Sequence, residues 1–290
     1  RINQLNPEPI SEPGRELLFT SNVLLTVPAT AASIDELDYS ADLKNQIRQA
    51  MGEEQIYWFD HPIQIGVKPE NNEILYGLRG LDEAVEFERE RGNMPSEKAT
   101  CVLSVSVTHK GLHHVAKNYI ETEIRKAGGF KNLDVFVFTE SDTRQLIDEV
   151  LAPAAETDQG LDVFGVDGEY GRHYSFLKAI AALWSTTKDP RIKGTFKIDL
   201  DQVFPQKELV EQSGASAFEH FSTPLWGARG TAADGSPTEL GMIAGALVNE
   251  KDIHNGLFTP DVPFPKSGPS TFEEHIFFSK QLMALSTEGE

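Results

Sequence analysis

Between residues 99 and 203 the chain alternates between two hydrophobic periods. CVLSVSVT (101–108), LDVFVFTE (133–140), LDVFGVD (161–167) and GTFKIDLD (194–201) are short apolar runs rich in β-branched and aromatic residues, and they predict strands. Between them, HHVAKNYIETEIRKA, SDTRQLIDEVLAPA and YSFLKAIAALWSTT repeat apolar residues every three to four positions and predict helices. Gly128-Gly129 closes the first of these helices, and Ser141 is the expected N-cap of the second. Strands alternating with helices of this length imply right-handed crossovers and a mostly parallel sheet covered on both faces.

The first hundred residues have a different texture. Residues 1–16 read as an extended arm. Residues 17–98 mix strand-like runs (LLFTSNVLLTV, QIYWF, IQIGV) with two helical stretches (SADLKNQIRQAM and LDEAVEFERER). The pattern changes after Met94-Pro95-Ser96, so the expected division is an α+β N-terminal extension over 1–98, of unassigned role, and a catalytic domain over 99–290.

Composition narrows the partners. The 290 residues are 39% hydrophobic and 24% charged, enough for a sizeable core. Lys and Arg number 26 against 45 Asp and Glu, a net charge of −19, which disfavours nucleic acid and anionic membrane and obliges an anionic substrate to find a local cation. Cys101 is the single cysteine, which excludes an internal disulfide and a cysteine zinc site and fits a reducing compartment; a cytoplasmic location is the expectation. No long apolar run predicts a membrane span.

In a parallel sheet ligands bind beyond the carboxyl ends of the strands. That rule selects SVTHKG (106–111), TESDT (139–143), VDGEYGRHY (166–174) and IDLDQ (198–202) as one rim. Asp199 and Asp201, alternating with Ile198 and Leu200, are expected side by side on one strand face, where two carboxylates repel unless a cation joins them; Mg2+ or Mn2+ suits such oxygen ligands. The loop after the third expected strand, with Gly168 and then Arg172, His173 and Lys178 at or just inside a helix N-terminus, is a basic island in an acidic chain. Thr271 caps an expected helix with Glu273 and Glu274 in its first turn. His109, His113 and His114 cluster after the first expected strand. His220 or His254 is a further ligand for the aspartates, and Trp226 a surface on which a sugar can stack.

The order of these pieces resembles the GT-A glycosyltransferases that use nucleotide-sugar donors, particularly the family-2-like group, over roughly residues 100–285. The resemblance implies a GT-A mostly parallel sheet flanked by helices. It implies nucleoside contacts from Ser106, Thr108, His109 and Glu140 or Asp142, and a metal and diphosphate held at Asp199 and Asp201. It further implies a catalytic base at Glu274 or Glu273 that inverts the anomeric carbon, or retention, which the fold also supports and in which neither glutamate is the base, with Arg172 or Lys178 sharing the leaving-group charge. The second strand ends Thr-Glu-Ser-Asp where that group has paired aspartates, and the acidic pair is Glu-Glu rather than Glu-Asp. The alternatives are a sugar-nucleotide nucleotidyltransferase, a haloacid-dehalogenase-type phosphohydrolase built on DLDQV, and a noncatalytic sugar- or partner-binding protein.

Overall fold

A computed structural model describes residues 1–56, 62–94, 97–151, 157–167, 170–243, 247–249 and 286–288. In chain order the elements are β1 (Ile2–Gln4), α1 (Pro13–Glu16), β2 (Leu17–Thr26), α2 (Ala31–Glu36), α3 (Ala41–Ala50), β3 (Ile63–Gln64), α4 (Glu73–Glu90) and β4 (Ala99–Val107). They continue with α5 (Ala116–Lys126), β5 (Leu133–Thr139), α6 (Glu140–Leu146), α7 (Thr157–Phe164), α8 (Tyr170–Thr187) and β6 (Gly194–Lys197). The remainder are β7 (Gln202–Val203), α9 (Gln206–Ser213), α10 (Ala217–Phe221), β8 (Arg229–Thr231), β9 (Pro237–Glu239), β10 (Leu247–Asn249) and β11 (Ser286–Glu288).

These elements form two compact units, one of Leu17–Arg79 and Lys98–Leu200, the other of Arg1–Glu16, Gly80–Glu97 and Asp201–Glu290. The first holds a five-stranded, all-parallel sheet. β4 pairs with β5 on one side and β2 on the other, while the far side of β2 carries β6 along Leu17–Thr20 and β3 along Leu25–Thr26. The α/β class and parallel sheet follow the hydrophobic pattern. The expected boundary after residue 98 does not hold, because β2, from the supposed extension, is the middle of the sheet. LLFTSNVLLT has the apolar content of a strand buried on both faces: Leu18 and Phe19 point oppositely, and both are fully buried, as are Val102 and Leu103 of β4.

One face is covered by α8. Phe176, Leu177 and Ile180 pack with Leu18, Val102, Val166 and Ile192, and burying each such side chain contributes roughly 1.5–3 kcal/mol. The run at 161–167 is not a strand. Leu161 is buried while Val163 is 52% exposed within the helix α7, whose three-to-four residue spacing fits this one-sided burial better than a doubly covered strand would. The helix expected at 113–127 is broken into a 3-10 turn, Lys110–His114, and α5. The next begins earlier than expected, with Thr139 rather than Ser141 as N-cap: its hydroxyl accepts from the Asp142 amide while the Asp142 carboxylate accepts from the Thr139 amide, a reciprocal capping box. It passes into a π-helical turn at Ile147–Leu151.

The second unit is built from short pieces. The expected arm is in part a strand, since β1 pairs antiparallel with β8, which pairs with β9; Gly230 is required there because a Cβ would fall 2.2 Å from the Arg1 carbonyl oxygen. Within this unit Glu88 is fully buried and accepts hydrogen bonds from Arg91 (2.8 Å) and Asn93 (3.1 Å), with Arg91 also reaching Glu219 at 2.9 Å.

Candidate functional site at the carboxyl edge of the sheet

The register decides which side chains share a face. Thr20 is opposite Val102 and Lys197, and Asn22 is opposite Ser104, so Thr20, Asn22, Ser104, Ser106 and Lys197 lie on the face that α8 covers. Toward the amino ends this face is apolar; toward the carboxyl ends it becomes a buried polar seam. Ser104 Oγ lies 2.9 Å from Asn22 Oδ1 and 2.8 Å from His173 Nδ1, linking β4 to β2 and to the first turn of α8. His173 is almost fully buried, and Thr20 Oγ1 and Asn22 Nδ2 are buried with no hydrogen-bond partner among the described residues.

Beside this seam the last residue of β6, Lys197, is bonded through its ammonium to Asp199, and it stands 5.9 Å from the ring centre of Tyr174, an exposed residue at the start of the second turn of α8. Past the ends of β4 and β5, His113 Nε2 meets Asp167 Oδ2 at 2.7 Å. Glu140 Oε2 accepts from the amides of Val166 and Asp167, at 2.7 and 3.1 Å, which fixes the approach to α8.

The expected site residues fare differently. The strand stops at Lys197, so Asp199 and Asp201 are not alternating strand residues. Leu200-Asp201 is a turn, and the division between the two units falls between these two residues. No group of three or more His, Cys, Asp or Glu among the described residues stands close enough to hold a metal ion. Glu140 is occupied with the backbone at 166–167. Asp142 is occupied with its capping box and with Lys117, at 2.8 Å. Ser106 is buried, its hydroxyl 3.5 Å from the Val23 carbonyl. Thr108 Oγ1 donates to or accepts from Thr26 Oγ1 at 2.7 Å and lies 2.8 Å from His109 Nδ1, and burial lowers the His109 pKa while Glu53 raises it less.

Lys178 is exposed in the third turn of α8, well inside the helix rather than at its start. Arg172 is in the first turn of α8, its side chain outside the described set, and Gly168, His254, Glu273 and Glu274 lie outside the described residues altogether. His220 is buried in the second unit near Ser213, its pKa lowered by burial and raised less by Glu219. Trp226 uses its indole N–H on the Gly241 carbonyl, 3.2 Å away. Cys101 is fully buried, its thiol pushed up to about 12, which makes it a core residue and not a nucleophile.

Asn22, Ser104 and Lys197 escape a sequence reading that looks only at strand ends. The signal is present: Asn22 and Ser104 stand in the middle of strands buried on both faces, and a polar residue there needs a partner. No helix among the described residues is long and apolar enough to cross a membrane. Comparison with protein-family models, with curated proteins and with solved structures returns no match to this chain.

Proposed function

We propose that the unit built on the parallel sheet binds a nucleoside-diphosphate sugar at the carboxyl end of β6, beside the middle of β2, and that the protein is a glycosyltransferase moving the sugar to an acceptor hydroxyl. One observation carries this reading. β4 and β5 lie on one side of β2, while β3 and β6 pair along its other side, so the strand order reverses at β2, a topological switch point of the kind where open α/β sheets bind nucleotides. Asp199 leaves the sheet at that point, with Lys197, Tyr174 and the Asn22–Ser104–His173 seam on the α8 side.

In this reading Lys197 supplies positive charge to the diphosphate, Tyr174 offers a ring face, and Glu274 or Glu273 removes the acceptor proton. Mn2+ or Mg2+ would take Asp199 as a ligand, with Asp201 the next carboxylate in the chain, and would neutralise the departing diphosphate.

A noncatalytic sugar- or partner-binding protein is the second reading. It is favoured by the internal partners that Glu140, Asp142 and Asp199 all carry. Incubation with UDP-, GDP- and ADP-sugars, with and without Mn2+, separates the two. Release of a nucleoside diphosphate above the rate without protein supports the transferase. Binding without release supports the second reading, and neither binding nor release removes the donor site.

A further inference from the structure

Lys197 is a cation of unusual placement. The chain carries a net charge of −19, yet this ammonium stands at the end of a sheet strand, at the switch point, with only about a quarter of its side chain exposed. Its backbone is fixed by pairing with Thr20, and its head lies near the Tyr174 ring and on the Asp199 carboxylate. Asp199 is nearly half exposed, and a partly solvated ion pair of this kind contributes little net stability. A phosphate group makes stronger charge-assisted hydrogen bonds than a solvated carboxylate does, and a diphosphate brings more than one negative charge.

We propose that Lys197 is the phosphate-binding cation of the switch-point site and that Asp199 holds it in reserve, exchanging it for an incoming diphosphate. The inference rests on the switch-point reading and assigns a different role to the first acid of Asp-Leu-Asp. Toward a free anion, Asp199 is a competitor for Lys197, so in the absence of metal its removal strengthens anion binding. A residue acting solely as a metal ligand has no such effect, and a purely structural pair loses stability without a gain in affinity.

The test is calorimetric titration with inorganic pyrophosphate, and separately with UDP and GDP, in EDTA, on the full chain as wild type, Lys197→Gln, Lys197→Arg and Asp199→Asn, each checked for an unchanged melting profile. The expected result is that Lys197→Gln weakens pyrophosphate binding by about tenfold, the loss of one charge-assisted contact. Lys197→Arg retains most of the affinity, and Asp199→Asn tightens binding several-fold. Equal binding by wild type and Lys197→Gln, or weaker metal-free binding by Asp199→Asn, overturns the proposal. Lys197-dependent pyrophosphate binding with no preference for a nucleotide keeps the proposal and removes the nucleotide reading. Nucleotide binding indifferent to Lys197 does the reverse.

Discussion

The amide of Ile198 donates to the carbonyl oxygen of Thr20 at 2.9 Å, and the Ser21 hydroxyl donates to the Ile198 carbonyl at 2.7 Å. These two bonds extend the β2–β6 pairing to the residue before Asp199. They set where this acid leaves the sheet.

The turn that follows is held from outside the strand. A Cβ on Gly77 of α4 would fall 2.5 Å from the Leu200 Cα and 2.6 Å from its carbonyl oxygen, both rigid backbone atoms. Gly77→Ala therefore forces α4 or the Leu200 turn to move, at a cost of about 2 kcal/mol. Urea denaturation is expected to show a lower midpoint with an unchanged slope. An unaltered midpoint would mean that the contact is slack.

Ser104 joins Asn22 to His173, and replacing it by alanine leaves two buried polar groups short of a partner. The expected loss is about 2 kcal/mol. Ser104→Thr, which keeps the hydroxyl, recovers part of it. The comparison of the two variants by chemical denaturation separates the hydrogen bond from packing.

In the second unit Arg91 neutralises the fully buried Glu88. Arg91→Ala leaves that carboxylate with the Asn93 side-chain amide but no cation, and is expected to destabilise by about 3 kcal/mol. Adding Glu88→Gln to Arg91→Ala should recover much of the loss, because the buried charge is then gone; no recovery would show that packing by the arginine stem is what matters.

His109 and His220 both have pKa values lowered by burial. The folded state then binds protons less readily than the unfolded state, whose histidines titrate near 6.5. Stability is accordingly full above that value and falls as pH drops below it. The expected melting temperature declines between about pH 6.5 and 5, more shallowly in His220→Gln than in wild type once each is referred to its own value at pH 8. Parallel profiles would mean that His220 does not contribute.

The parallel sheet was legible because its strands are apolar on both faces and its helices are regular. The central place of LLFTSNVLLT was not, because a strand's neighbours are set by pairing across 80 to 180 residues and leave no local mark on Leu17–Thr26. LDVFGVD misleads for a related reason: over seven residues an apolar run fits either period, and burial of Leu161 beside exposure of Val163 is a tertiary outcome. At the site, the position of Asp199 near a sheet edge was readable from its spacing. Its bond to Lys197, two residues earlier, was not, since the expected strand would have run through Asp201 and it stops at Lys197. Glu140 and Asp142, acids at a strand end, have local structural partners that spacing did not show: Asp142 caps a helix and Glu140 holds a loop.

The central claim is that a nucleoside diphosphate binds where β6 ends, beside the middle of β2. Hydrogen–deuterium exchange of the full chain, with and without UDP, GDP and ADP in the presence of Mn2+, tests it at peptide resolution. The account predicts slowed exchange in peptides covering 20–28, 170–178 and 194–200 with one of these nucleotides. Unchanged exchange in all three with every nucleotide, or protection confined to 206–241, would contradict it.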